Sequence, residues 1–176
     1  MDLEDTMAGR EIDERGLLSG PNTTERPRAT STAVYTAHFD APPDRVFAFC
    51  TSRSGLEDSM PGGVRVLRWP EAGFAEGETM VMRWRLAGML PVRWVGVIDS
   101  FEEGDHFTDL QLRGMFRYFR HTHTTAPEGA GTAYTDRVEF ASLFGPIVDR
   151  TVLRFVMDRM FLQRLARMRE LVEAGA

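Results

Sequence analysis

The last third of the chain constrains the fold most, because two long strand-like segments are followed by one long amphipathic helix. Residues 116–125 and 132–140 have strand composition, and a Pro-Glu-Gly-Ala-Gly turn separates them. Gly145 and Pro146 then begin a helical pattern that continues almost to the C-terminus. At about 1.5 Å per residue, some 27 residues span roughly 40 Å, which is enough to cross a whole sheet. The pattern predicts a curved sheet that grips this helix, with a cavity between the two.

The preceding part of the chain has the pattern of an antiparallel meander. Residues 33–39 have strand composition, and two short helical segments follow within residues 45–50 and 52–61. Short turns then join four further predicted strands, at residues 64–69, 77–86, 92–101 and 107–113. Alternation with arginines predicts that Met82 and Trp84 point inward, and Trp94 takes the same position on the next strand.

Length and composition indicate one domain at residues 31–173, preceded by a flexible tail at residues 1–30 that carries little apolar surface. The net charge of −5 and the lack of a basic run argue against nucleic-acid binding. The chain contains no lysine, which excludes Schiff-base and P-loop chemistry. Cys50 is the single cysteine, and neither a secretory signal nor a transmembrane segment is evident, so we expect a cytoplasmic protein.

His121 and His123 are the sharpest chemical signal. Side chains two residues apart on a strand share one face, so two imidazoles project together. A hairpin loop of about six residues would place Asp136 opposite His121, as a hydrogen-bond partner or a third metal ligand. Because no further cluster of histidine or cysteine supports a metal site, we expect a His–Asp pair at one end of the cavity, no metal and no cofactor.

The remaining cavity residues are methionines and aromatic side chains. Most such residues in a small domain form the core, yet their density on both the sheet and the helix suits an adaptable apolar pocket. The residues expected to line it are Met82, Trp84, Trp94, Phe119, Phe140, Met157 and Phe161. His121, His123 and Asp136 would supply its polar end.

The order of elements and four short motifs resemble the START-like, Bet v 1-like superfamily, also called SRPBCC, and its bacterial members in particular. The motifs are Ala-Pro-Pro-Asp-Arg-Val-Phe at 41–47, Phe-x-His-x-His at 119–123, Asp-x-Val-x-Phe at 136–140 and Leu-Phe-Gly-Pro at 143–146. The resemblance covers residues 31–173 and implies an α+β helix-grip fold with two short helices after the first strand. It also implies a hydrophobic tunnel, which relatives use for lipids, sterols, quinones, hormones and polyketides.

Three functions follow from these expectations. The favoured one is non-catalytic binding or transport of a small, mainly hydrophobic molecule in the cavity. The second is an enzyme of the polyketide cyclase/dehydrase type, in which His121 acts as acid/base and Asp136 orients it. The third is a protein-interaction module with a vestigial cavity. Homodimer formation stays open.

Overall fold

A single antiparallel sheet forms the framework in the computed structural model, which describes residues 22–86 and 90–174. Its strand order is β1-β7-β6-β5-β4-β3-β2. The strands in chain order are β1 (Ser31–Phe39), β2 (Val64–Arg68), β3 (Thr79–Leu86), β4 (Leu90–Glu102), β5 (His106–Arg113), β6 (Tyr118–Glu128) and β7 (Gly131–Ala141). Two short helices, α1 (Pro43–Cys50) and α2 (Arg53–Ser59), join β1 to β2. The predicted helix-grip fold is thereby confirmed.

The C-terminal helix begins as predicted, but one of its turns is wider than a regular α-helix. It consists of α3 (Pro146–Val148), a π-helical turn (Asp149–Leu153) and α4 (Arg154–Ala174). Gly145, with φ 87°, turns the chain into Pro146. The buried Asp149 carboxylate accepts the backbone N–H of Ser142 with both oxygens, at 3.2 and 3.1 Å. This carboxylate anchors the wide turn to the end of β7.

One face of α4 packs on the sheet, as the apolar spacing predicts. Its buried residues are Met157, Phe161, Arg164, Leu165, Met168 and Val172. The helical region also carries apolar residues on its outer side, since Phe144, Ile147 and Phe155 are 74%, 79% and 69% exposed. The apolar residues of this region are therefore not confined to the one buried face that the sequence predicted. None of the helices in the described part of the chain is long and apolar enough to cross a membrane.

The β6–β7 hairpin is longer and tighter than the sequence indicates. β6 continues through Pro127 to Glu128, and only two residues separate it from Gly131 at the start of β7. Gly129 supplies a φ of 62° in this turn. The tight turn sets a register in which His123 faces Asp136 and His121 faces Val138. The expectation that Asp136 lies directly opposite His121 was therefore wrong by two residues, because the loop is shorter than six residues.

The segment before β1 contacts the sheet where it is described. Asn22 Nδ2 donates to the carbonyl of Leu112 at 3.0 Å, and the backbone N–H of Thr23 donates to the carbonyl of Arg117 at 2.8 Å. Arg26 forms an ion pair of 3.1 Å with Glu139 on β7. Residues 1–21 of the predicted tail lie outside the described residues.

The thiol of Cys50 provides a test of the α1 packing. Burial raises its pKa to about 12, against the opposing effect of the Arg164 charge. Because the thiolate is the reactive form, we expect negligible labelling of the native protein by a thiol reagent at pH 8. One thiol per chain should react in denaturant, measured by absorbance or mass spectrometry. Rapid stoichiometric labelling of the native protein would contradict the described position of α1.

Candidate functional site

A cluster of polar side chains is enclosed between three strands and α4. Asp109 comes from β5, two histidines from β6, two further residues from β7 and one from the helix. All are buried, with exposed fractions of 8% or less. The members are Asp109, His121, His123, Tyr134, Asp136 and Arg164. We call this group the polar cluster.

Asp136, which is fully buried, lies at the centre of the polar cluster. Its Oδ1 accepts from His121 Nε2 at 2.8 Å and from the Tyr134 hydroxyl at 2.7 Å. Its Oδ2 accepts from Arg164 Nη1 at 2.7 Å. Both carboxylate oxygens are thus occupied by donors from β6, β7 and α4, which offsets the cost of burying the charge.

His123 completes the network on the neighbouring strand. Its Nδ1 lies 2.6 Å from the Tyr134 hydroxyl oxygen and 2.9 Å from Asp136 Oδ1. Its ring stacks on Phe107, with centroids 4.1 Å apart. The two histidine rings are also adjacent, with centroids 3.8 Å apart. Both rings are held in fixed orientations by these contacts.

The electrostatics of the polar cluster follow from burial and from one cation. Burial alone would raise the pKa of Asp136, but the guanidinium of Arg164 and the two imidazoles hold it well below its usual value. Burial lowers the pKa of His121, and His123 lowers it further, against the attraction of Asp136. Burial raises the pKa of Tyr134 well above its usual value. These directions favour an ionised Asp136, a neutral His121 and a neutral Tyr134 near neutral pH.

Asp109, Tyr134 and Arg164 were not among the predicted site residues, although each has a sequence signal. Tyr134 lies two residues before Asp136 and shares its face of β7. Arg164 falls three residues after Phe161 and four before Met168, which places a charge on the buried stripe of α4. Asp109 alternates with Phe107 and Gln111, so it shares their inward face on β5. Together with His121 and His123, Asp109 forms a group whose donor atoms are close enough to hold a metal ion.

The predicted cavity residues mostly meet in the core between sheet and helix. Trp94 packs edge-on against Phe119, with ring centroids 4.7 Å apart, and Phe119 faces Phe140 across the β6–β7 ladder. Phe161 lies against His121, with centroids 5.2 Å apart, and Met157 is 3% exposed beside it on α4.

The two predicted residues on β3 lie further from α4. Met82 is partly buried and packs against the same core. Trp84 is also only partly buried, and its Nε1 donates to the carbonyl of Pro61 at 3.3 Å. This bond holds the indole near the loop between α2 and β2.

Trp94 carries an unused hydrogen-bond donor. Its side chain is buried, and its Nε1 has no hydrogen-bond partner among the described residues. The nearby apolar groups include Phe119, Phe116 and Met80, the last of which packs beside Gly96 and the indole nitrogen. A buried N–H without an acceptor costs about 1–3 kcal/mol, so an acceptor on a bound molecule would be favourable here.

A surface cleft lies at one end of the sheet. It has a volume of about 240 Å³ and lies between the start of β1 and the π-helical turn. Its walls are formed by Thr30, Ser31, Thr32, Phe140, Asp149, Arg150 and Arg154. The cleft reaches Phe140, one of the residues predicted to line the cavity.

The ion pair between Asp136 and Arg164 is testable by a double-mutant cycle. We expect Asp136→Asn and Arg164→Met each to lower the free energy of unfolding by about 3–5 kcal/mol, because each leaves a buried charge unpaired. The double variant should lose clearly less than the sum of the two. Urea unfolding followed by circular dichroism measures all three.

The exposed Arg167, paired with Glu170 at 2.7 Å, provides the control. Arg167→Met should change stability by less than about 1 kcal/mol. Strictly additive losses in the cycle would show that the two buried charges do not stabilise one another.

Comparison with known proteins agrees with this architecture. The sequence pattern of the family described as polyketide cyclase / dehydrase and lipid transport matches residues 30–173. No curated protein matches the chain significantly.

Solved structures resemble the fold across most of the chain. A protein from Thermus thermophilus is 21% identical with a TM-score of 0.67, over 83% of this chain and 99% of its own. The Zhui aromatase/cyclase from a Streptomyces species is 16% identical with a TM-score of 0.66, over 82% of this chain and 94% of its own. A START superfamily protein from Mycobacterium smegmatis is 13% identical with a TM-score of 0.62, over 82% of this chain and 99% of its own.

At these identities the solved structures show the fold alone, and the family match covers nearly the whole described region. The seven-stranded sheet, the two short helices after β1 and the long C-terminal helix are those of the START-like, Bet v 1-like superfamily. The chain therefore belongs to the polyketide cyclase/dehydrase and lipid transport family of that superfamily.

Proposed function

We propose that the protein binds a small, mainly hydrophobic molecule between the sheet and α4, without transforming it. The observation that carries this proposal is a buried Asp136 whose two carboxylate oxygens both accept hydrogen bonds, beside an aromatic core that retains one unpartnered donor among the described residues, Trp94 Nε1. Such a combination of apolar walls and few fixed polar groups is typical of small-molecule sites.

The apolar wall would be supplied by both layers of the fold. Trp94, Phe119 and Phe140 project from the sheet, and Met157 and Phe161 project from α4. Methionine side chains adjust their shape at low cost, which suits a ligand that is held by shape and apolar contact. Each aromatic or methionine side chain that covers such a ligand contributes to its affinity by burying apolar surface.

The polar contacts would orient the molecule. Trp94 Nε1 is a donor within the apolar region, and it favours a ligand that carries a carbonyl, ether or hydroxyl oxygen. The imidazoles of His121 and His123 would face the other end of the same space. The cleft beside Phe140, at the π-helical turn, would give access from solvent, and π-helical turns occur frequently at functional sites.

The full hydrogen bonding of Asp136 favours binding over catalysis. Asp136 already accepts from three donors, and its low pKa makes it a weak base. A general base would need a free oxygen and a pKa nearer neutrality. The cluster therefore resembles a fixed structural element more than a proton-transfer pair.

A second candidate is an enzyme of the polyketide cyclase/dehydrase type. The hydrogen bond from His121 Nε2 to Asp136 favours it, because this bond would orient a neutral imidazole whose Nδ1 could accept a proton. In that case Asp136→Asn would abolish turnover of a polyketide substrate while binding persisted. A pure binding protein would leave the substrate unchanged in the wild type as well.

Probe binding tests the proposed pocket. Met157→Trp would fill the space between sheet and helix, so we expect at least a fivefold loss of affinity for Nile red, an uncharged dye with a carbonyl acceptor. Energy transfer from tryptophan to the dye would report an interior position. Saturable binding by the wild type is the prerequisite.

Leu162→Trp provides the matched control, because Leu162 lies on the outer face of the same helix and is 62% exposed. This variant should bind as the wild type does, and circular dichroism should show that both variants are folded. Equal affinity of Met157→Trp and the wild type would contradict the pocket. Loss in Leu162→Trp alone would assign the dye to the outer surface.

A further inference from the structure

Three potential metal ligands converge within the polar cluster. Asp109 Oδ1 lies 3.6 Å from His121 Nδ1 and 3.5 Å from His123 Nε2. All three atoms lie within 4.8 Å of one another. The two distances exceed the usual range of a direct hydrogen bond, about 2.7–3.2 Å, so the groups approach one another without being bonded.

The hydrogen bonds on the far side of each ring decide which nitrogens carry hydrogen. His121 Nε2 faces Asp136, and an ionised carboxylate only accepts, so Nε2 carries the hydrogen. Tyr134 donates its hydrogen to Asp136, and its oxygen therefore accepts from His123 Nδ1. In neutral rings, lone pairs then lie on His121 Nδ1 and His123 Nε2. These are the two nitrogens that face the Asp109 carboxylate.

An arrangement of three acceptors around one point favours a cation between them. The polar cluster contains two carboxylates and one guanidinium, and Arg164 bonds Asp136 at 2.7 Å. Asp109 is 6% exposed, and its nearest partners are the two imidazole nitrogens. A buried carboxylate without a compensating charge is costly. A cation at the centre of the three atoms would offset both the lone-pair repulsion and this charge.

We propose that Asp109, His121 and His123 bind a divalent first-row metal ion, with Zn²⁺ as the expected occupant. Two imidazole nitrogens and one carboxylate oxygen are a usual ligand set of open zinc sites. With metal–ligand distances of about 2.0–2.1 Å and near-tetrahedral angles, the ligand atoms are roughly 3.4 Å apart. The distances of 3.5 and 3.6 Å agree with that spacing.

Asp136 and Tyr134 hold the two histidine rings from the side opposite Asp109. Asp136 accepts from His121 Nε2 at 2.8 Å, and the Tyr134 oxygen accepts from His123 Nδ1 at 2.6 Å. Such bonds orient ligating histidines and increase their basicity. The fourth position would be taken by water or by an oxygen of a bound molecule. The sequence predicted no metal because no further cluster of histidine or cysteine accompanies the pair, and Asp136 was the one candidate third ligand. In the structure Asp136 bonds His121 Nε2, whereas Asp109 lies near His121 Nδ1 and His123 Nε2.

A metal titration of the full chain tests this proposal. The protein is treated with EDTA, desalted and titrated with Zn²⁺ at pH 7.5 in a calorimeter, and its metal content is measured after gel filtration. We expect one ion per chain and a higher midpoint of thermal unfolding, because the ion binds the folded state. Co²⁺ should give the visible absorption bands of a tetrahedral site. Less than about 0.1 equivalent of Zn²⁺ or Co²⁺ bound at roughly 100 µM free ion would overturn the proposal.

Two variants identify the ligands. Asp109→Asn removes the charge with little change of shape, and we expect at least about a tenfold loss of Zn²⁺ affinity. His123→Gln should have a comparable effect and serves if the first variant does not fold. Asp105→Asn is the control, because Asp105 belongs to a separate, exposed group with Glu102 and His106. Retained affinity in both ligand variants, or loss in Asp105→Asn alone, would assign the metal to the surface and overturn the proposal.

Metal binding and apolar-ligand binding are separable. The metal titration needs no apolar ligand, and the dye titration is done on the EDTA-treated protein. A protein that binds the dye but no Zn²⁺ would refute the metal site alone. A protein that binds Zn²⁺ but no dye would refute the proposed function alone.

Discussion

The buried ion pair between Asp136 and Arg164 is the interaction on which the rest of the arrangement depends. It joins the centre of β7 to the middle of α4 across the interior between sheet and helix. Because each charge is costly to bury alone, the helix can settle on the sheet only in the position that brings the two together. The orientations of His121, Tyr134 and His123 follow from this pair, since the first two bond Asp136 and His123 bonds Tyr134.

Periodicity made the elements predictable, because alternating strands and a long amphipathic helix leave few arrangements. Contacts between elements were harder to predict. The residue directly opposite His121 on β7 depends on the length of the hairpin turn, and a change of two residues places Asp136 opposite His123. The Asp136 carboxylate still accepts from His121. Arg164 and Asp109 lie far from the histidines in sequence. A single sequence does not determine which strands are neighbours in the sheet, or where along the strands the C-terminal helix packs.

The polar cluster also limits which substitutions the core can accept. An apolar core residue can be replaced by another of similar volume with a small loss of stability. A single replacement among the six residues of the polar cluster breaks hydrogen bonds that its neighbours need. Removal of one donor leaves its acceptor buried and unmatched. The aromatic residues around Trp94 can thus adapt to ligands of different shape, while the cluster keeps a single geometry.

The pairing of β1 with β7 has a consequence for how the protein is made. Ser31 lies beside Phe140, so the first strand remains without its neighbour until β7 has left the ribosome. The partners of β1 on the helical side, such as Asp158 for Tyr35, emerge later still. Strands β2 to β6 can pair in order as they appear, since each lies next to its neighbour in sequence. The edge of β7 and the inner face of the sheet are therefore completed last, and the newly made chain needs protection from aggregation at that stage.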